Sequence, residues 1–398
     1  MKNPGFEFDE LLRTCIHCGL CLNDCPTYRL TGDEAHSPRG RIMVLRQILD
    51  PLPDNTWEPD RATIDMCLGC RGCETACPSG VPYGRLLEEG RALLPDPEDR
   101  LARLVRLFTR YVIPRRRLLA VLAILGPWVS RLSIATGSLA RLLSALPRRR
   151  ASWPRIRGPR EGNVAVLAGC AQPVFSPAVL PATIAIIRAA GESPFVPSDQ
   201  GCCGALAAHA GDLDQARALG RALIRRLESA ESIVIPSAGC SAHLGRLGEL
   251  FANDPEWGPR ADALASRCED FVVWVHRNRE RIRWRPDLRR VVFQRPCHLR
   301  HAQGTDGAAE QVLSGISGVE LLETPRADLC CGSAGAWSLE YPELARRRRD
   351  EKMADLLAPG PEIILTGNPG CELFLDGGPE GVPVRHLAEY LAELLPGS

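Results

Sequence analysis

The sequence predicts an α/β protein made of two unlike parts: a helical, cysteine-rich head, then a duplicated unit built on parallel sheets. Three observations predict this. Eight cysteines fall in two matched runs within residues 1–97. From about residue 162, short runs of Val, Ile and Leu alternate with helical stretches, the pattern of strands covered by helices. The cysteines that follow those strands recur at a near-constant distance along the chain, which marks an internal duplication. A length of 398 residues suits two or three cores better than one.

The head comes first. Cys15, Cys18, Cys21 and Cys25 precede Pro26, and Cys67, Cys70, Cys73 and Cys77 precede Pro78. Each run reads C-x-x-C-x-x-C-x-x-x-C-P. In this ferredoxin-type run three close thiolates hold three irons of a [4Fe–4S] cluster, and the fourth cysteine reaches the other cluster. Cys15, Cys18, Cys21 and Cys77 are therefore expected to hold one cluster, and Cys67, Cys70, Cys73 and Cys25 the second. The competing ion is zinc, which also uses C-x-x-C pairs but has no need of a third cysteine or of the C-P ending. Disulfides fit less well, because MKNPGFEFDE lacks the apolar core of a secretory leader; a cytoplasmic protein is expected. Between the runs, Ser37 and Pro38 form an N-cap and first helical position for a helix through Ile42, Leu45 and Leu49. A second helix is expected from about Val81 to Leu94.

Residues 98–160 read as a basic helical connector. The whole chain carries a net charge of only +1, yet residues 101–160 contain 14 arginines and no Lys, Asp or Glu. Leu101, Leu104, Val105, Phe108 and Val112 recur at helical spacing, with Arg103, Arg106 and Arg110 on another face. The apolar run Leu118 to Leu125 is too short for a bilayer span, which takes roughly 20 residues. Two uses are open: packing against flanking domains or a partner, or peripheral contact of residues 101–150 with an anionic membrane surface.

The duplicated unit divides into halves at 161–282 and 283–398. In the first, a strand Val164 to Ala168 leads to Cys170, a short extended stretch at Pro194 to Val196 precedes Cys202 and Cys203, and a strand Ile233 to Pro236 leads to Cys240. In the second, Val291 to Gln294 leads to Cys297, Leu321 to Glu323 precedes Cys330 and Cys331, and Ile363 to Thr366 leads to Cys371. The offsets between counterparts are 127, 128 and 131 residues. Helices are expected at Ala205 to Glu228 and Pro342 to Leu357. Ligands of open α/β sheets gather beyond the carboxyl ends of the strands, so all eight cysteines are expected on that edge, four to each half.

Those four sulfurs are candidates for a further metal or cluster, or for thiol redox chemistry; the alternative is a structural loop of small buried residues. Cys268 has no counterpart and reads as a small core residue. His298 and His301 flank Cys297 and could face a cluster or a partner's flavin, or simply be satisfied polar residues. No dinucleotide-binding G-x-G-x-x-G and no P-loop is present. A chain that carries electrons but accepts no hydride needs a flavoprotein beside it to oxidise an organic substrate. Nothing suggests a nucleic-acid partner.

The CCG segments at Cys203-Gly204 and Cys331-Gly332 resemble the CCG domain of heterodisulfide reductase subunits, whose fuller form has a fifth cysteine three residues after the last. His243 and Phe374 stand at those positions here. Over its whole length the chain resembles the iron–sulfur subunit family of bacterial glycolate oxidase. The phrases that carry this are CIHCGLCLNDCPTY from Cys15, PRGRI at Pro38 to Ile42, CLGCRGCETACPSGVPY from Cys67, GCAQPVFSP from Gly169, GCCGA from Gly201, PCHLRHAQ from Pro296 and LCCGSAG from Leu329. The resemblance implies two [4Fe–4S] clusters on the eight head cysteines and two FAD-binding partner subunits. It also implies electron transfer from glycolate oxidation towards membrane quinone. Related subunits of lactate and glycerol-3-phosphate dehydrogenase complexes share the architecture, and a heterodisulfide-reductase-like role for the CCG region stands as the other alternative.

Overall fold

The computed structural model describes residues 6–50, 61–131, 151–305, 307–327, 329–376 and 381–397. It is an α/β structure with a helical head and, among the described residues, two four-stranded parallel sheets.

In the head, Ser37 caps the helix Pro38–Leu49 by accepting the N–H of Gly40. The helix Tyr83–Leu93 follows the second cysteine run. Ile42, Leu45, Leu86 and Leu87 fall on the inward faces of these two helices and close a core with Phe8, Leu12 and Ile64. The cysteines sit on the loops that this small core steadies.

The connector forms a helix Arg100–Leu107, a wider turn Phe108–Val112 and a helix Arg116–Arg131. Leu101, Val105, Phe108 and Leu119 turn inward and pack on Val174, Phe175 and Leu339, which fixes the connector to both halves of the duplicated unit. Residues 132–150, part of the expected connector, lie outside the described residues.

The first sheet contains β1 (Val164–Val166), β2 (Pro194–Phe195), β3 (Ser232–Ile235) and β4 (Cys268–Asp270) in the order β2-β1-β3-β4. The second contains β5 (Arg290–Gln294), β6 (Glu320–Leu322), β7 (Ile363–Thr366) and β8 (Val384–His386) in the order β6-β5-β7-β8. Registers correspond: Val164 faces Ser232 in one sheet and Val291 faces Ile363 in the other. The duplication read from cysteine spacing is thus a duplication of topology.

Two strands differ from the sequence reading, which contains neither β4 nor β8. Each is three residues long and partly polar, so no apolar run marks it; pairing with β3 and β7 makes it a strand. Cys268 lies on β4 against the first half's outer core, and burial pushes its thiol up to about 12. The single helix expected over Ala205 to Glu228 is two, Ala205–His209 and Leu213–Leu227. Gly211, with φ +77°, breaks it. A side chain there would meet the backbone of Arg91 at 2.6 Å, so the break lets the head approach.

The two halves share one core. Val164, Val166, Ile187 and Trp274 of the first pack with Val291, Phe293, Leu365 and Leu391 of the second, and the helix Val179–Ala189 lies against Leu387–Glu393. The helices that start at Ala238 and Pro369, carrying Cys240 and Cys371, begin side by side. The N–H of Ala238 donates to Gly367 at 3.3 Å, and the N–H of Gly239 donates to the Asn368 side chain at 3.3 Å. Buried Ser176 donates to Glu372 at 2.6 Å across the same boundary.

Candidate iron–sulfur and thiol centres

The two head loops share a backbone device. His17 and Gly19 have φ of 56° and 84°, and Gly69 and Arg71 have φ of 65° and 63°, so in each run the residues before and after the second cysteine are left-handed. Alternating left- and right-handed residues turn successive N–H groups to one side and make a concavity for an anion, the kind found at Fe–S sites. For His17 and Arg71 that conformation costs on the order of 1 kcal/mol, and bonds hold both. Arg39 donates to the His17 carbonyl at 3.0 Å, and Arg71 to Glu74 at 2.9 Å, while Glu74 accepts the N–H of Gly84 at 2.6 Å.

Cys25, Cys67, Cys70 and Cys73 line one small cavity together with Arg41 and Tyr83. The fourth cysteine of the first run has therefore come to the first three of the second. Arg41 is fully buried, donating through Nε to the Thr63 carbonyl at 2.7 Å and through Nη2 to Thr27 at 3.0 Å. Its Nη1 has no hydrogen-bond partner. Burial alone would lower the basicity of this guanidinium, but Cys67, Tyr83 and Cys25 around it raise the pKa overall. A buried cation with an orphaned N–H at the edge of a four-thiol cavity fits an anionic iron–sulfur cluster, since leaving such a donor unmatched is costly. Cys15, Cys21 and Cys77 pack at the margin of the head core, and Cys18 is exposed.

In each half of the duplicated unit the four thiols form a chain. Cys170 bonds to Cys202, Cys202 to Cys203, and the Cys203 thiol lies 3.0 Å from Cys240. Cys297 bonds to Cys330, Cys330 to Cys331, and the Cys331 thiol lies 3.2 Å from Cys371. The same asymmetry appears twice. Hydrogen bonds from Cys170 and Cys203 hold Cys202 well below the usual thiol range, and bonds from Cys297 and Cys331 do so for Cys330. Their neighbours Cys203 and Cys331 are raised. The N–H groups of Gly204 and Gly332 donate to the sulfurs of Cys202 and Cys330, two residues earlier, at 3.5 Å each, which also lowers the pKa of those two thiols. Among the described residues no three His, Cys, Asp or Glu side chains converge tightly enough for a single metal ion.

The head and the second half meet at their sulfurs: Cys70, Cys297 and Cys330 pack in one cluster with Leu68 and Trp337. Phe374, at the fifth-cysteine position of the second half, packs there too. Histidines cluster beside the first half. His209 is bonded to Glu88 at 2.7 Å, with the His243 and His298 rings 6.4 and 5.5 Å from its own. Burial lowers the pKa of His243 and takes that of His298 to about 3. Burial raises the Glu88 carboxyl, but the His209 bond and the nearby cations bring it below its ordinary value. His301, by contrast, is satisfied, bonding through Nδ1 to Thr75 of the head at 2.8 Å. Sequence reasoning missed Arg41, Glu88 and His209. Arg41 stood inside the PRGRI phrase, and its signal was an arginine on the otherwise apolar inward face of its helix, among Ile42, Val44 and Leu45.

Known families match the same segments. The 4Fe-4S dicluster domain family matches residues 11–81, and the cysteine-rich domain family matches residues 164–245 and 291–376. The chain is 36% identical to the glycolate oxidase iron-sulfur subunit of Escherichia coli (strain K12), over 98% of this chain and 96% of that one. It is 32% identical to a probable glycolate oxidase iron-sulfur subunit of Bacillus subtilis (strain 168), over 99% and 97%. Lactate utilization protein A of Shouchella clausii (strain KSM-K16) is 26% identical over 58% of this chain and 98% of its own. In fold the chain resembles the crystal structure of a hypothetical protein from Helicobacter pylori, with a TM-score of 0.57 at 8% identity, covering 99% of this chain and 73% of that one.

Proposed function

This chain belongs to the family of glycolate oxidase iron–sulfur subunits, and from that premise we propose that it is the electron-relay subunit of a flavin-dependent glycolate dehydrogenase. FAD-binding partner subunits oxidise glycolate to glyoxylate, and membrane quinone takes the electrons. The observation that carries the relay reading is the packing of Cys70 against Cys297 and Cys330, which puts one thiol centre of the head directly beside one of the duplicated unit.

Cys15, Cys18, Cys21 and Cys77 hold one [4Fe–4S] cluster in this reading, and Cys67, Cys70, Cys73 and Cys25 the other. Such clusters supply one-electron acceptance and release. The chain's own residues set the conditions: left-handed residues flanking Cys18 and Cys70 aim backbone N–H groups inward, and Arg41 places a buried positive charge beside the second set. Cys170, Cys202, Cys203 and Cys240, and Cys297, Cys330, Cys331 and Cys371, are proposed as further metal- or cluster-holding sets, each with one thiol whose pKa its neighbouring sulfurs lower.

No helix among the described residues is long and apolar enough to cross a membrane. Contact with the bilayer is proposed through the connector, where Leu107, Tyr111, Leu118, Val121, Ile124 and Leu125 are exposed among Arg103, Arg110, Arg115 and Arg117. Apolar side chains ringed by arginines suit an anionic lipid surface.

The relay reading is tested in the assembled complex. Cys18→Ser and Cys70→Ser are expected to abolish glycolate-to-quinone electron flow while glycolate still bleaches the flavin. Loss of flavin reduction in an assembled variant complex would contradict a relay role.

A further inference from the structure

A cleft of about 730 Å³ opens between the head and the first half of the duplicated unit and runs inward to Glu88, His209, His243 and His298. Its volume is that of a small-molecule site. Each half contributes one of the two deepest histidines, and each histidine lies beside its own half's thiols. His298 follows Cys297, its Nδ1 lying 3.6 Å from that sulfur, and His243 stands three residues beyond Cys240 on the helix Ala238–Leu244.

The lining narrows the ligand class. The arginines around the cleft are matched: Arg71 to Glu74, Arg85 to Glu7 and Glu89, Arg106 to Asp96, Arg217 to Asp214, Arg221 to Asp254 and Arg246 to Glu249. Among the described residues lining the cleft, each arginine thus already faces a carboxylate, which disfavours a phosphate or carboxylate ligand. At the inner end, the Nε2 atoms of His243 and His298 are both buried without a hydrogen-bond partner. Two unmatched imidazole nitrogens cost free energy unless a ligand pairs with them. Leu87, Leu213, Leu250 and Phe251 supply an apolar wall. Beside them the Glu88–His209 pair joins a carboxyl to an imidazole, the usual furniture for moving protons.

We propose that this cleft binds a quinone, its two ring oxygens pairing with His243 and His298 and its ring and tail lying along the apolar wall. The assignment rests on the relay reading for its electrons. Conversion of the quinone to the hydroquinone takes two electrons, delivered singly by that relay, and two protons, which enter from solvent by way of His209 and Glu88. One proton forms an O–H bond at each ring oxygen as the two C=O bonds become C–O single bonds. The site thus stands where electrons from two thiol centres and protons from the cleft can reach one ring.

Two measurements on the full-length, cluster-loaded chain test this. The first is equilibrium dialysis of menadione and of a short-tailed ubiquinone against oxidised protein, which needs no electron transfer. One saturable site is expected, weakened at least tenfold by His243→Phe, by His298→Phe and by Leu213→Trp, which narrows the cleft without touching the histidines. The second is stopped-flow re-oxidation of dithionite-reduced protein, followed by its visible absorbance. Quinone-driven re-oxidation is expected to saturate in the wild type, with half-saturation raised at least tenfold in Leu213→Trp, while ferricyanide re-oxidises both proteins at the same rate. Non-saturable binding, or binding indifferent to all three substitutions, overturns the quinone site and leaves the relay standing. Protein that no acceptor re-oxidises overturns the relay, and the site's role with it.

Discussion

The indole N–H of Trp337 donates to the carbonyl oxygen of Met66 at 2.9 Å. Met66 immediately precedes the second cysteine run of the head, and Trp337 begins a short helix just after the second CCG segment. The bond therefore ties the loop that presents Cys67 and Cys70 to the half whose Cys330 lies against Cys70. Trp337→Phe keeps the ring in place and removes the donor, leaving that carbonyl without it. A loss of about 1–3 kcal/mol is expected, read as a lower urea midpoint. An unchanged midpoint would show that the tie contributes nothing.

Cys25 shares its cavity with Cys67, Cys70 and Cys73. Cys25→Ser and Cys70→Ser should therefore disturb the same paramagnetic signal of the reduced protein, and Cys77→Ser the other. Sequential ligation, with each run holding its own cluster, would instead pair the signals of Cys70→Ser and Cys77→Ser.

Arg41 lies buried beside Cys25 and Cys67 with one N–H unmatched. Adding an electron beside this fixed positive charge is favoured, so Arg41→Gln should lower the reduction potential of the second cluster. A change on the order of 1–2 kcal/mol of electrostatic stabilisation is roughly several tens of millivolts for one electron. Redox titration followed by electron paramagnetic resonance reads it, with the first cluster as internal reference. Equal shifts in both clusters, or none, would remove Arg41 from this role.

His386 is fully buried in β8, caps the following helix by accepting the N–H of Ala388 at 3.1 Å, and burial takes its pKa down to about 4. The folded protein therefore binds this proton less readily than the unfolded chain, whose histidine titrates near 6.5. The stability it contributes is complete above about pH 6.5 and is lost as pH falls towards 4. Between pH 7.5 and 5.5 the loss should be roughly 1 kcal/mol. Urea midpoints at those two pH values, compared with His386→Gln, isolate it: the variant should lack this part of the acid sensitivity.

The exposed apolar and arginine side chains of the connector predict binding to vesicles containing phosphatidylglycerol, weakened by salt and absent with neutral lipid. Replacing Leu118, Val121 and Leu125 with Ser should reduce flotation several-fold. Equal flotation of the triple variant would remove the connector as the contact.

Much of this was legible in the chain, for identifiable reasons. The head cysteines announce themselves because cluster ligation demands fixed local spacing, and β1, β3, β5 and β7 because central parallel strands are continuous apolar runs. What escaped was whatever depends on distant partners. β4 and β8 are strands only because β3 and β7 supply their hydrogen bonds. The break at Gly211 serves Arg91, more than a hundred residues earlier in the chain. Glu88, His209, His243 and His298 come from three separate regions, and only the folded arrangement makes them neighbours. His243 was visible as a departure from a cysteine pattern; its unmatched Nε2 was not.

The helix Leu387–Glu393 lies over Val179–Ala189, made about 200 residues earlier. While the polypeptide is being synthesised, the older helix must wait with its greasy side bare, for roughly 10–40 s at ordinary translation speeds. A newborn chain in that state invites aggregation, so its yield in a cell should depend on holdase chaperones more than its finished stability would suggest.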